Sequence, residues 1–126
     1  AGVRQLVIVS SMGVTDPNHP LNKLLDNIMA WKLRGEEAVR ASGVRYTIVR
    51  PAGLSTEPGG TQGIHVTQGD PKDIVARIPR ADVAAVCLAA LGRRAAYDTT
   101  FEVMTDKQAD RVDWDTLFGA LHADGG

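Results

Sequence analysis

The feature that most constrains this chain is the run QLVIVS at residues 5–10. It is short, almost wholly apolar and β-branched at its centre, the pattern of a strand buried on both faces of a parallel sheet. Two similar runs follow, VRYTIV at 44–49 and TTFEVM at 99–104. Helical patterns lie between them, and strands alternating with helices argue for an α/β fold with a parallel sheet.

The first intervening segment opens with a loop, SMGVTDPNHP (11–20), rich in turn residues. A helix is then expected over about 21–41, closed by Gly43 where a left-handed cap favours glycine. Residues 51–63, PAGLSTEPGGTQG, carry two prolines and four glycines and read as a long loop. Residues 55–64 are expected to be the most mobile internal segment. GIHVTQ (63–68) fits a short edge strand. IPRADVAAVCLAALG (78–92) fits a helix, with Pro79 near its first turn, Asp82 facing the helix dipole and Gly92 as terminator. A last helix is expected from Asp110, with Asp110 and Asp113 at N-cap and N3 spacing. Trp114, Leu117, Phe118 and Leu121 form its apolar face, and HADGG should fray.

With 126 residues the chain is one domain or a piece of one. Fourteen basic and fifteen acidic residues give a net charge of −1, which offers no footprint for nucleic acid or an anionic membrane. No apolar run approaches the roughly 18 residues of a membrane span. The N-terminus lacks the apolar region and cleavage site of a signal peptide, so the cytoplasm is the default location. The single cysteine, Cys87, has no internal partner and reads as inert core. His19, His65 and His122 have no ligand spacing and read as surface residues, so no metal is assigned.

Ligands of open parallel sheets bind outside the carboxyl ends of the strands. SSMG (10–13) and RPAGL (50–54) occupy those positions. Lys32 falls in the helical stripe Leu21, Leu25, Ile28, Gly35 and Val39. Either it reaches a polar ligand, or its stem packs on the core while the ammonium reaches water. Gly35 costs a helix about 1 kcal/mol relative to alanine, which suggests close packing against another backbone. Ser10 and Ser11 either donate to a ligand oxygen or close the strand with local side-chain-to-backbone bonds. Pro51 removes a donor and stops the second strand, and the loop beyond it either leaves amides free for a ligand or is a plain turn. Glu36 and Glu37 read as solvated charges. GGTQG (59–63) is no phosphate loop, and GxGxxG is absent.

The order of AGVRQLVIVSSMG, WKLRGEEAVRASGVRYTIVRPAGL and IPRADVAAVCLAAL resembles the second half of the atypical short-chain dehydrogenase/reductase superfamily. Within it, the likeness is to the NAD(P)H-binding, NmrA-like and flavin- or biliverdin-reductase-like proteins, over about residues 1–104. The resemblance implies the second half of a doubly wound, Rossmann-like NAD(P)-binding sheet, with the glycine-rich first half absent. It implies NAD or NADP as cofactor. It places Ser10, Ser11, Met12, Lys32, Pro51, Ala52, Gly53 and Leu54 in cofactor contact, with catalytic roles for Lys32 and Ser11. Two positions depart from the conventional pattern: Ile28 stands where a tyrosine would lie, and Met12 stands at or beside the active serine. Neither transfers a proton. The implied activity is hydride transfer from NAD(P)H to a small flavin- or quinone-like acceptor; the alternative is a non-catalytic NAD(P)-sensing or partner-binding protein. Without its neighbour in the parent sheet, the strand at 5–10 becomes an unprotected edge, so self-association or a separate first half is expected.

Overall fold

The computed structural model describes residues 2–125. A four-stranded sheet runs in the order β1–β2–β6–β4, with β1 (Leu6–Val9), β2 (Tyr46–Pro51) and β6 (Thr99–Asp106) parallel. β4 (Gly63–Thr67) is the antiparallel edge strand expected at 63–68. A second, two-stranded parallel sheet joins β3 (Gly53–Ser55) to β5 (Arg77–Pro79). The connections carry α1 (Pro20–Leu24) and α2 (Ile28–Ala41), then α3 (Arg80–Ala90), and α4 (Trp114–Gly119) follows β6.

Alternation along the strands gives the sheet two different faces. Val49, Phe101 and Val103 face an apolar core completed by Val83, Val86 and Ala90 of α3 and by Leu117 and Phe118 of α4. Phe101 and Phe118 meet edge to face at 6.0 Å. The opposite face carries Arg50 and Glu102, which are direct register partners across β2 and β6. Thr67 of β4 opposes Glu102, and extending the β1–β2 register by one residue puts Ser10 beside Arg50. A polar row therefore crosses the sheet near the carboxyl ends of its parallel strands.

Several expectations are corrected. β1 is not buried on both faces: Leu6 is 38% and Val9 49% exposed, because β1 pairs only with β2. The single helix over 21–41 is two helices, broken where Asp26 and Asn27 take left-handed φ values of 49° and 63°. The side chain of Asn22 bridges the break, its Oδ1 accepting from the amides of Met29 (2.9 Å) and Ala30 (3.3 Å). The break shifts the buried face of α2 to Met29 and Glu36, so Gly35 is exposed and a Cβ there would meet nothing within 4 Å. Gly35 is not a close-packing glycine within this chain.

The second strand does not stop before Pro51 but runs through it, since the proline carbonyl still accepts from Met12 N at 3.0 Å. Residues 51–63 are not all loop, because Gly53–Ser55 pair with β5. Further along, Gly60 N donates to Asp82 at 2.8 Å, and Gly59 packs so closely on Ala81 and Asp82 that a Cβ would sit 2.8 Å from each. That tie holds residues 59–60 against the start of α3. Asp113, not Asp110, caps α4, accepting from Thr116 N. The segment HADGG does not simply fray: Asp124 accepts from Tyr46 Oη (2.8 Å) and Thr100 Oγ1 (2.6 Å). Burial and the Asp124 carboxylate push the Tyr46 hydroxyl up to about 12.

Candidate functional site

A cleft of about 670 Å³ opens at the carboxyl ends of β1 and β2. All eight residues singled out from the sequence line it: Ser10, Ser11, Met12, Lys32, Pro51, Ala52, Gly53 and Leu54. Three separate stretches of chain bring them together, namely the end of β1, the second turn of α2 and the junction of β2 with β3. The floor is apolar, from Met12, Met29, Pro51 and Leu54. Lys32 is half-buried and makes no hydrogen bond or ion pair among the described residues.

Of the two strand-end hydroxyls, one takes the local alternative. Ser11 Oγ donates to the Met12 carbonyl at 3.0 Å, the local strand-closing bond. Ser10 Oγ is sealed from solvent without a hydrogen-bond partner among the described residues. It lies beside Glu36 and favours that carboxylate's charge, yet no bond of acceptable geometry forms. The loop after Pro51 also offers fewer free amides than expected. Ala52 N donates to the Val103 carbonyl (2.9 Å) and Gly53 N to the Ala76 carbonyl (3.1 Å), because strand pairing replaces the expected loop.

Under the cleft lies the polar row. Glu36, fully buried, takes two bonds from Arg50, Nη2 to Oε1 at 2.7 Å and Nε to Oε2 at 3.0 Å. Arg50 reaches Glu102 at 3.3 Å, and Arg40 reaches Glu36 at 2.9 Å. Burial alone would raise the Glu36 carboxyl; the bonds and charge of Arg50 outweigh it and hold the group below its ordinary value. For Glu102 burial wins, and its carboxyl is pushed up despite Thr67 and Arg50. Glu36 is thus a buried ion-pair partner and not a solvated charge.

Sequence reasoning missed three further parts. Asp70, at φ 53° and buried, accepts from Gly13 N (2.6 Å), Thr15 N (2.9 Å) and Thr15 Oγ1 (2.5 Å), clamping the loop after β1. The turn residues Gly69-Asp70-Pro71 are its only local signal. His19 is not a plain surface residue. It caps α1, its Nδ1 accepting from Leu21 N at 3.1 Å, and its ring lines the cleft over Gly13. Residues 71–76 form a third wall, with Arg80 beyond it. Ile28, at the tyrosine position, is not among the lining residues.

The chain is similar to an uncharacterised chloroplastic protein of Arabidopsis thaliana, 45% identical over 94 residues, 72% of this chain and 29% of the relative. It is 43% identical to the sanguinarine reductase of Eschscholzia californica over 94 residues, 71% of this chain and 34% of that enzyme. Among solved structures, one described as an NAD-dependent epimerase/dehydratase of Bacillus halodurans superposes with a TM-score of 0.75 at 28% identity, covering 90% of this chain and 50% of its own. The chain therefore spans about a third of the length of these curated relatives and half of that Rossmann-like neighbour. The family model for NAD(P)H-binding proteins matches residues 1–94, most of the 126, and with it the strand-end motifs and the cleft they build; the chain belongs to this NAD(P)H-binding family, within the atypical short-chain dehydrogenase/reductases.

Proposed function

We propose that this chain forms the nicotinamide and substrate side of an NAD(P)H-dependent reductase acting on a small conjugated acceptor of flavin or quinone type. The observation that carries the reading is the convergence of eight residues from three segments on one cleft, with Lys32 unpaired among the described residues inside it. The likeness to sanguinarine reductase supports a reductase. The residues fit the nicotinamide end of the cofactor: an apolar floor for a flat ring and an ammonium for a sugar hydroxyl. They do not fit the pyrophosphate end, since no glycine-rich turn feeds a helix here.

When bound, the reduced nicotinamide supplies the hydride. The chain's own residues position and shield. Met12, Met29 and Leu54 keep water from one side, and Lys32 orients the sugar. Ile28 provides no proton, and Ser11 is engaged with Met12. That combination suits acceptors that take hydride to a stable anion without a protein acid, as flavins and quinones do. The same two features favour a second reading, an NAD(P)-sensing protein that binds the cofactor and does not turn it over.

We also propose that the open edge of β1 is completed by a further strand, from a first half of the domain or a second copy. Leu6 and Val9 are exposed along it, and the run carries neither proline nor lysine as protection.

The test is NADPH oxidation by the full-length protein with menadione or flavin as acceptor. Turnover supports the reductase; binding without turnover supports the sensor; no binding refutes both. Lys32→Met should weaken NADPH binding about tenfold, a loss of about 1.4 kcal/mol, while the melting temperature stays unchanged. A variant that melts early but binds normally would mean that Lys32 is only a packed stem.

A further inference from the structure

The cleft carries a charge its cofactor end does not explain. Its lining includes Lys32, Lys72 and Arg80 against the single carboxylate of Asp16, in a chain whose net charge is −1. Asp16 is partly committed, its Oδ1 accepting from Asn18 N at 2.9 Å. Lys72 and Arg80 make no ion pair among the described residues. Lys72 belongs to the 71–76 wall and Arg80 is the first residue of α3, whereas Lys32 stands on α2.

That wall is built to stay in place. The segment 71–76 is held at one end by Asp70, through its bonds to Gly13 and Thr15, and at the other by the Ala76 carbonyl, which accepts from Gly53 N. Between these anchors Ile74 is half-buried in the cleft and Val75 is fully exposed at 102%. Leu54, 40% exposed, lines the same cleft from β3. An isolated exposed valine needs no explanation, but three apolar side chains around one opening with two unpaired cations make an amphipathic rim.

We propose that the acceptor is an amphipathic anion. Its flat apolar body packs on Leu54, Ile74 and Val75, and a carboxylate, sulfonate or phosphate on it is held by Lys72 and Arg80. The proposal rests on the reading that this cleft receives an acceptor, and it adds that acceptor's charge and the residues that select it. Lysine and arginine at an exposed rim act as screened point charges, so the contribution should be modest and should fall with salt.

Binding decides it without turnover. 2-Naphthalenesulfonate and the neutral 2-naphthol are titrated calorimetrically into the full-length protein, with and without saturating NADPH. The sulfonate should bind about fivefold more tightly, equal to about 1 kcal/mol, and the difference should shrink as salt rises. Lys72→Met and Arg80→Met should each remove part of it, and the double variant most of it, while 2-naphthol affinity holds. Equal affinity of the two probes for the unmodified protein overturns the proposal. So does displacement of the sulfonate by NADPH, or a loss of NADPH affinity in the two variants, since the cations would then serve the dinucleotide's phosphates. NADPH oxidation is measured separately: its absence with every acceptor sinks the reductase reading, whereas the probe pair judges the rim alone.

Discussion

Replacing Glu36 with leucine should be among the most damaging single changes in the chain. Glu36 is fully buried and takes two of the three carboxylate bonds that Arg50 makes, at 2.7 and 3.0 Å, plus one from Arg40. Without it, Arg50 keeps only the longer 3.3 Å contact to Glu102, whose carboxyl burial already pushes toward the neutral form. Removing one partner of a buried pair costs about 3–5 kcal/mol, because the other charge stays in low dielectric. That is a large share of the roughly 5–15 kcal/mol that holds a domain together. Removing both charges is a different perturbation. Glu36→Leu combined with Arg50→Met keeps similar volume, and Glu102 can take a proton instead of standing as a bare charge. The double variant should lie within about 1 kcal/mol of the unmodified protein. Urea unfolding of the full-length protein and its three variants closes the cycle. The pH dependence has a definite sign. The Glu36 carboxyl is depressed, so its contribution is complete above the ordinary 4.5 and is lost as pH falls below it. The Glu102 carboxyl is raised, so it opposes folding at neutral pH and the penalty fades as pH falls through its elevated value. A Glu36→Leu cost under about 1 kcal/mol, or a double variant as unstable as the sum of the singles, would refute this account of the pair.

Asp70→Ala should cost about 3 kcal/mol by removing the acceptor for Gly13 and Thr15 and placing alanine at φ 53°. Burial raises the Asp70 carboxyl but the bonds from Thr15 and Gly13 outweigh it, so this support is present above the ordinary 3.8 and lost below it; thermal melts across that range check both claims. Gly35→Ala should stabilise α2 by about 1 kcal/mol, since no atom outside its own helix turn and chain neighbours lies within 4 Å of the new methyl. A melting temperature that falls in the full-length protein would show that another part of the molecule packs there.

The strands were legible because their signal is local. LVIV, YTIV and TFEV are short runs rich in β-branched and aromatic residues, and each falls in a strand of the parallel sheet. The position of the cleft followed from topology, since residues at the ends of neighbouring parallel strands must share one edge. The break in the first helix was less legible. Leu21, Leu25 and Ile28 keep helical spacing straight through it, and only the pair Asp26-Asn27, two residues that tolerate left-handed backbone, marks the interruption. The third wall was not legible at all. Asp70 acts on Gly13 across 57 residues of sequence, and no periodicity in 70–76 announces it. Nor does a pair of adjacent glutamates on a helix reveal that the first will meet an arginine fourteen residues later.

The polar row explains why the cleft walls hold their relative positions. Lys32 and Glu36 stand one turn apart on α2, the lysine in the cleft and the glutamate beneath it on Arg50. Arg50 precedes Pro51, whose carbonyl holds Met12, and Ser10 lies beside Glu36. The three segments that meet at the cleft are therefore referred to one buried ion pair. An apolar row would hold the sheet together at least as well, because burying charge brings little net stability. What the charges add is register. Arg50 and Glu102 face α2, while Val49, Phe101 and Val103 face the apolar core. A slip of β2 by one residue would drive an arginine into that core and lift a valine onto the charged face. The cost of such an unpaired buried charge makes the observed pairing the one that survives, and with it the placement of Lys32 against the end of β2.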